Sequence, residues 1–317
     1  MIKADQYYKQ TVENILTQGV WDENTRSVWS DGKKAHSKFI TQQFYTYNIQ
    51  KSEFPINTIR PTFLKGAFFD IKAIYIDQTN IIEEMDSSIH KWWKDAVVKT
   101  FNPKELSDRW LDWAYHFGKE QTYGDKKPAD FQQHSLGQTY GHTVRKYDFI
   151  NKLLEGLEEN PFGRRHSINL NQEQQKTDDP LALPPCAFET LWSVKNIGDN
   201  RIIDLTLIQR SQDVLPVFSI NAIQYVMLGM IVCNHLTFKT RIVHKLGNFS
   251  HFIQNSHVYD RHIDSAKKLL EVETLNEQPT LELICKPKNF YLHDWEDFKV
   301  FGVEKIKKQD FKLEIAK

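Results

Sequence analysis

The chain is poor in cysteine, carries no excess charge and has no long apolar run, and each absence removes a class of protein. Cys186, Cys233 and Cys285 are the whole thiol set in 317 residues. An odd, sparse set builds no disulfide framework and fits a reducing compartment, where one thiol is available for chemistry. Lys+Arg and Asp+Glu both number 41, a formal net charge of +0. That balance argues against a general polyanion binder and leaves room for a local basic site, so no nucleic-acid partner is expected. The longest purely apolar run, Tyr225 to Cys233, falls well short of the roughly 20 residues that span a bilayer, so no membrane partner is expected either. The N-terminal MIKADQYYKQTVENIL lacks an apolar signal core, which points to the cytoplasm. No Gly-rich phosphate loop of the usual kinds is present, and no metal is expected. What the chain has in surplus is aromatic rings: 8 Trp, 12 Tyr and 20 Phe. Such rings fill cores first and line sites for flat ligands second.

Periodicity predicts a mixed order of elements. Tyr8, Val12 and Ile15 share a helical face in a segment ending near Gly19. Residues 21–35 are polar and turn-rich, and Phe39 to Tyr47 reads as a strand. Leu64 to Ile76 is helical and apolar, with Asp70 and Lys72 inside it. Residues 94–135 mix charge with Trp110, Trp113 and Tyr115. This stretch, with a helix opening after Pro103 and a turn at Gly124 and Pro128, reads as an insertion packed on a single domain. A helical stripe of Ile150, Leu153, Leu154 and Leu157 closes at Asn160-Pro161. Strands are predicted at 165–171, 187–195 and 201–210, an apolar helix at 218–235, a strand or hairpin at 238–249, and an amphipathic helix at 258–271. Thr280–Ile284 and Phe298–Phe301 read as short strands. Runs of strands with packed helices, without regular βαβ alternation, predict an α+β fold.

Chemistry concentrates in a few short segments. Leu183-Pro184-Pro185-Cys186-Ala187-Phe188-Glu189-Thr190 fixes the backbone entering a cysteine at the start of a strand. Cys233 and Cys285 sit in ordinary apolar settings and read as core residues. Gln209-Arg210-Ser211-Gln212-Asp213 ends another strand, and Arg164-Arg165 follows a Pro-Phe-Gly turn. Guanidinium forks plus a hydroxyl are the inventory for holding a phosphate. Asn221 offers a donor and an acceptor together, as a base edge requires. His257 and Tyr259, two apart in a strand, would share a face.

In this order these segments resemble the thymidylate synthase family over most of the chain, apart from 94–135. The Cys-Ala-Phe and Ile-Asn-Ala-x-Gln-Tyr wordings, with Ala187 and Val217, resemble the branch found in lactic-acid bacteria. The resemblance implies an α+β fold with the sheet at a homodimer interface, dUMP as substrate and 5,10-methylenetetrahydrofolate as co-substrate. It implies that Cys186 attacks carbon 6 of uracil. Arg26, Arg210 and Ser211 would hold the phosphate, joined by Arg164 and Arg165 from the partner subunit. Asn221 would hold the pyrimidine edge and select uracil over cytosine, and His257 and Tyr259 the ribose hydroxyl. Tyr140, in Gln138-Thr139-Tyr140-Gly141, would help remove the proton from carbon 5. Asp213 would help place base and folate, and Trp92 or Trp93 would sit against the folate.

Three positions depart from the family pattern. Asp70, ten residues before Asn80, stands where the family has a catalytic glutamate. Asparagine stands at Asn171 in place of a tryptophan, and the chain ends in Lys317 in place of an apolar residue. Aspartate is shorter by one bond, roughly 1.5 Å, and a displacement of that order costs on the order of a hundredfold in rate unless compensated. A polar tail admits water, which would turn the exocyclic methylene intermediate into a hydroxymethyl group. Beside reductive methylation of dUMP to dTMP, two readings therefore stay open. One is a dUMP hydroxymethylase, as a phage making modified DNA would use. The other is a nucleotide-binding relative of low turnover.

Overall fold

The computed structural model describes residues 1–94, 97, 99–101, 133–137, 139–171, 184–311, 313, 314 and 316. The helix opening after Pro103, the turn at Gly124 and Pro128, Trp110, Trp113 and Tyr115, together with Gln138, Leu183 and Lys317, lie outside the described residues.

The chain opens with α1 (Lys3–Gln18), whose Tyr8, Val12 and Ile15 are fully buried as their spacing predicts. β1 (Val20–Trp21) and β2 (Ser37–Asn48) follow, then α2 (Leu64–Ile71), which widens into a π turn at Lys72–Ile76. A short α3 (His90–Trp93) precedes β3 (Lys99–Phe101) and β4 (Gln133–Ser135), which pair antiparallel. Then come α4 (Gly141–Lys146), α5 (Phe149–Glu159), β5 (Ser167–Asn169), β6 (Ala187–Ile197), β7 (Asn200–Gln209) and β8 (Gln212–Asp213). The chain continues through α6 (Val214–Val217), α7 (Ile220–Thr240), β9 (His244–Tyr259), α8 (Ile263–Glu271), β10 (Thr280–Leu283) and β11 (Phe298–Phe301).

One 7-stranded sheet organises the molecule, in the order β1-β2-β9-β7-β6-β5, with β8 alongside β9. β7 and β8 run parallel to β9 and the other pairs are antiparallel, so the sheet is mixed and the fold is α+β. Alternation sets its inner face: β7 buries Ile203, Leu205, Leu207 and Gln209, and β9 buries Phe249, His251 and Ile253. α7 packs on that face and is itself covered by α2 and α5, which explains a helix apolar on nearly every side. The stretch Val214–Thr240 is long and apolar enough to cross a membrane, but 72% of its most apolar window is buried inside the protein. Its partners mark it as a core helix. The opposite sheet face carries a row of directly paired Phe44, Phe252 and Ile208. Phe44 stays 58% exposed and Leu191 42% exposed on this side.

Two boundaries differ from the sequence reading. The strand or hairpin predicted at 238–249 is divided: α7 runs on to Thr240, Arg241 caps it in the left-handed region (φ 63), and β9 starts only at His244. The arginine cap carries no glycine or proline signal, so periodicity alone does not mark it. The amphipathic helix predicted from 258 begins at Ile263, because Val258 and Tyr259 still pair with β2. The short strands at 280–284 and 298–301 pair with each other as β10 and β11.

Candidate active site

The site is built around the edge where β6 begins and β7 ends. The backbone N–H of Arg210 donates to the Cys186 carbonyl at 2.8 Å. Its guanidinium then stitches down the proline pair, with Nε donating to Pro185 O at 3.0 Å and Nη2 to Pro184 O at 2.8 Å. Nη1 reaches Ser211 Oγ at 3.3 Å, and that hydroxyl lies 3.8 Å from Cys186 Sγ. Cys186 is half-buried. Arginine, serine and cysteine therefore come together although 24 residues separate Cys186 from Arg210 in sequence (210 − 186). The turn holding them is shaped from below. Buried Gln209 donates to Ser211 O at 2.8 Å, and its amide oxygen meets His251 Nε2 at 2.8 Å. Gln209 opens the Gln209–Asp213 segment without a role of its own in the sequence reading, and His251 does not stand out in the sequence.

A second group closes the other side of Cys186. Tyr140 sits in the left-handed region at φ 48, strained for a residue with a side chain. Gly141 explains how the strain is held, since a Cβ there would lie 2.2 Å from the Thr79 carbonyl oxygen. Asn80 next door donates to Ser135 Oγ at 3.3 Å and also to the Gly137 carbonyl. The Thr79-Asn80 pair thus anchors the loop that delivers Tyr140. Burial, with the charges of Cys186 and Asp70 nearby, pushes the Tyr140 phenol well above its ordinary value, against a smaller pull from the Cys186 backbone N–H. Trp93 packs edge-on to Tyr140, with ring centroids 5.1 Å apart, and donates its indole N–H to Asp70 Oδ1 at 2.7 Å. Gln224 Nε2 donates to Asp70 Oδ2 at 2.6 Å. Burial pushes the Asp70 carboxyl up to about 6, against the pull of these two donors.

The two tryptophans are told apart by direction. Trp92 turns away and packs edge-on to Phe63, with centroids 5.8 Å apart, over a small cluster that includes Ile82, Met85 and Leu136. Trp93 alone of the pair reaches Asp70 and Tyr140.

α7 contributes at its first turns. Asn221 is half-buried there, and its side chain makes no hydrogen bond among the described residues. Tyr225, one turn on, donates to Ala187 O at 3.3 Å and meets Tyr75 Oη at 3.1 Å. Gln224 and Tyr225 enter the sequence reading within the Ile-Asn-Ala-x-Gln-Tyr wording, without a role, and Tyr75 is not singled out in it. The signal available for Gln224 was its place three residues after Asn221, on the same helical face.

The polar rings and the second acid lie along β8 and β9. Register places Asp213 beside His257. His257 Nδ1 meets Asn255 Oδ1 at 3.0 Å, and burial pushes its imidazole down to about 4. The His257 and Tyr259 rings stand 5.1 Å apart, as a shared strand face requires. Tyr259 Oη lies 3.3 Å from Ser27 Oγ, which ties the 21–35 loop, and exposed Arg26 with it, to this strand. Burial pushes the Asp213 carboxyl up to about 7, partly offset by the Leu215 backbone N–H and the charge of Arg60. Asp213 Oδ1 is enclosed and has no hydrogen-bond partner among the described residues. Arg164 and Arg165 are exposed between α5 and β5 and form no hydrogen bond or ion pair there among the described residues.

Cys233 is buried in α7 as expected. Cys285 is not in an apolar setting, which corrects the sequence reading. Its sulfur, a His293 ring nitrogen and an Asp297 oxygen lie within 4.8 Å of one another. All three are already engaged. Asp297 takes the Lys288 ammonium at 2.6 Å, His293 meets Phe290 O and Asn234 Oδ1, and Asn234 Nδ2 reaches Cys285 Sγ at 3.9 Å. With the Asp297 carboxylate already paired to the Lys288 ammonium, the cluster reads as a polar clamp between the β10–β11 region and α7.

Comparison with known proteins agrees with this geometry over the full length. A family model described as thymidylate synthase matches residues 6–315. Thymidylate synthase of Streptococcus thermophilus (strain CNRZ 1066) is 36% identical over 317 residues, covering 100% of both chains. Thymidylate synthase of Lactococcus lactis subsp. cremoris (strain SK11) is 36% identical over 318 residues, again covering 100% of both. Among solved structures, thermostable thymidylate synthase A from Bacillus subtilis superposes with a TM-score of 0.72 over 99% of each chain, at 26% identity. Matches that leave almost no residue of the chain outside the alignment, on a sheet edge that joins Cys186 to Arg210, place this protein in the thymidylate synthase family.

Proposed function

We propose that the protein converts dUMP to dTMP with 5,10-methylenetetrahydrofolate, and that the residues grouped around Cys186 divide the work as follows. The observation that carries the reading is Cys186 held between Arg210-Ser211 on one side and the Tyr140–Trp93–Asp70 group on the other. Membership of the family makes the chain a one-carbon transferase.

Cys186 Sγ adds to carbon 6 of uracil, which turns carbon 5 into an enolate-type nucleophile. Splitting one hard substitution into addition and elimination is the use of a covalent intermediate. The folate supplies the methylene carbon and then the hydride that completes the methyl group. Arg26, Arg210 and Ser211 take the phosphate, Asn221 the pyrimidine edge, and His257 with Tyr259 the ribose hydroxyl. His257, held neutral by burial, offers a hydrogen bond without adding charge. Tyr140 helps remove the carbon-5 proton by relaying it: its neutral hydroxyl accepts that proton as it passes its own onward to a hydrogen-bonded acceptor. Asp70, with a carboxyl near 6, exchanges a proton at the base carbonyl close to neutral pH. The open oxygen of Asp213 suits a donor on base or folate, and the Trp93 ring, beside Tyr140 and Asp70, suits packing against a flat pterin. Those two features fit the folate; no metal is assigned a role.

The enzyme is read as a homodimer. An open sheet face with Phe44, Phe252, Ile208 and Leu191 supports a self-complementary interface. Arg164 and Arg165, unpaired on their own chain among the described residues, suit donation to the partner's phosphate site. A cytoplasmic location fits three free thiols. Residues 94–135 are read as an insertion in a single domain, and the β3–β4 ribbon that brings its two ends together supports this. The relatives carry the name of the methylating enzyme, so the hydroxymethylase reading is not favoured. Asn171, one of its motives, is exposed, and among the described residues its backbone N–H donates to Asn169 Oδ1.

The test supplies purified protein with dUMP and methylenetetrahydrofolate, following dihydrofolate by absorbance and the nucleotide by mass. Dihydrofolate with dTMP is expected. A hydroxymethylated nucleotide without dihydrofolate, or no product at all, would sink the reading. Cys186→Ser should abolish turnover while dUMP still binds.

A further inference from the structure

We propose that Gln224 is a positioning residue which, with Trp93, holds the Asp70 side chain in its working place, an inference that rests on reading Asp70 as the reaction's carboxylate. Asp70 closes α2, Trp93 comes from α3 and Gln224 from α7. Three elements therefore converge on one carboxyl group. Its two oxygens are held separately, Oδ1 at 2.7 Å from the indole nitrogen and Oδ2 at 2.6 Å from the amide nitrogen. With a donor on each oxygen, the carboxylate cannot rotate without breaking a buried hydrogen bond.

The lengths are complementary. An aspartate stops one carbon bond short of a glutamate, roughly 1.5 Å. Gln224 is one carbon longer than an asparagine and spans the remaining distance from the helix. Gln224 is 5% exposed, so its amide has no water to turn to, and an unmade bond there would carry a full desolvation cost.

The choice of donor matters as much as its reach. A lysine or arginine at 224 would also fix the carboxylate, but its charge would hold the acid ionised and end proton exchange near neutral pH. A neutral amide fixes position and leaves the burial effect dominant, as the carboxyl value of about 6 records. The other titratable groups facing Asp70 are Tyr140, from the turn before α4, and Tyr225, from α7, with Tyr75 behind it. Burial raises all three phenols, so they stay neutral where Asp70 titrates. Gln224 is also one turn beyond Asn221, so a single rigid helix sets the spacing between the pyrimidine reader and the carboxylate holder.

The experiment uses the full-length enzyme with dUMP and methylenetetrahydrofolate. Gln224→Leu removes the donor at similar volume, and Gln224→Met replaces it if the leucine variant does not fold by circular dichroism and thermal melting. The expected result is a kcat lower by about tenfold or more, an acid limb of the kcat–pH profile moved up by about one pH unit because the charged carboxylate loses a donor, and a dUMP Kd within about threefold of wild type. A length-conserving exchange supplies the rescue: Asp70→Glu and Gln224→Asn should each lose about tenfold or more, while the double variant should run at least about tenfold faster than the product of the single effects. Either an unmoved acid limb or a double variant that merely multiplies the single losses overturns the role of Gln224. Asp70→Asn, measured alongside, separates the two failures. If it loses turnover while the double variant is multiplicative, only the positioning claim falls. If it keeps wild-type turnover, the reading of Asp70 itself falls.

Discussion

Two acids flank the reaction centre, and the protein treats them in opposite ways. Burial raises both carboxyl groups, Asp70 to about 6 and Asp213 to about 7. Asp70 has both oxygens taken by side-chain donors, from Trp93 and Gln224. Asp213 keeps one enclosed oxygen without a partner among the described residues. Saturation fixes a group in place and leaves it to exchange a proton. An open buried acceptor costs the folded protein on the order of 1–3 kcal/mol until a donor arrives, and so suits a group waiting for a ligand. On the proposed reading, the contrast suits Asp70 to chemistry and Asp213 to binding.

The largest effect should come from breaking the Asp70 side. Asp70→Asn keeps the shape but turns an acceptor into a donor facing two other donors, and it cannot carry the proton. Its kcat should fall by about 10²–10⁴-fold, the usual worth of a positioned acid or base, with dUMP affinity changed only a few-fold. Asp213→Asn should show the reverse split. The KM values for dUMP and for folate should rise by roughly tenfold, with a smaller fall in kcat, because what is lost is a bond to a ligand. Steady-state kinetics with each substrate varied decides the matter, and two variants with the same split would erase the distinction.

Much of this contrast was legible before any coordinates, and what was not has a physical reason. Cys186, Arg210, Ser211, Asn221, His257 and Tyr259 lie in short segments whose residue types announce their chemistry, and five of these six are seen against a neighbour in the site. The helix stripes of α1 and α5 and the alternation in β7 placed the core. The partners that hold the chemistry in place were not legible. Gln224, Gln209, Tyr225 and His251 act through contacts 25 or more residues distant or within a buried turn, so the segments that contain the first three name them without showing what they hold. Cys285 misled because its polar surroundings come from a later turn (His293 and Asp297) and from α7 (Asn234), and none of them adjoins it in sequence. The Arg241 cap, without glycine or proline, hid the end of α7.

A middling effect should appear in stability against pH. Both acids have folded values raised above the ordinary 3.8. Their contribution to stability is therefore complete below about pH 4 and is lost as pH rises through about 6 and about 7. The melting temperature of Asp213→Asn, which cannot ionise, should stay near that of wild type at pH 5. By pH 8 it should exceed wild type by about 2–4 °C, since wild type then carries a buried charge with an unpaired oxygen. Calorimetry across that range checks the sign. A wild type that gains stability over the variant between pH 5 and 8 would show that Asp213 is ionised and well paired in the folded protein.

The smallest effect is expected at Trp92, and it sharpens the comparison by testing how narrow the Asp70 support is. Trp92 and Trp93 are adjacent on a single turn, and each packs edge-on to another ring. A general role in stacking would make them equivalent. The structure separates them by one hydrogen bond: Trp93 donates to Asp70 and Trp92 turns to Phe63. Trp92→Phe keeps a ring over the same small cluster and should change kcat and both KM values by less than about twofold, with any cost confined to thermal stability. Trp93→Phe keeps its ring against Tyr140 but removes the indole N–H, leaving Asp70 Oδ1 without that donor. Its acid limb should rise in the direction expected for loss of the Gln224 donor, and kcat should fall by about tenfold. Equal kinetics for the two phenylalanine variants would mean that ring packing, and not the hydrogen bond, holds the carboxylate, and the clamp would then reduce to Gln224 alone.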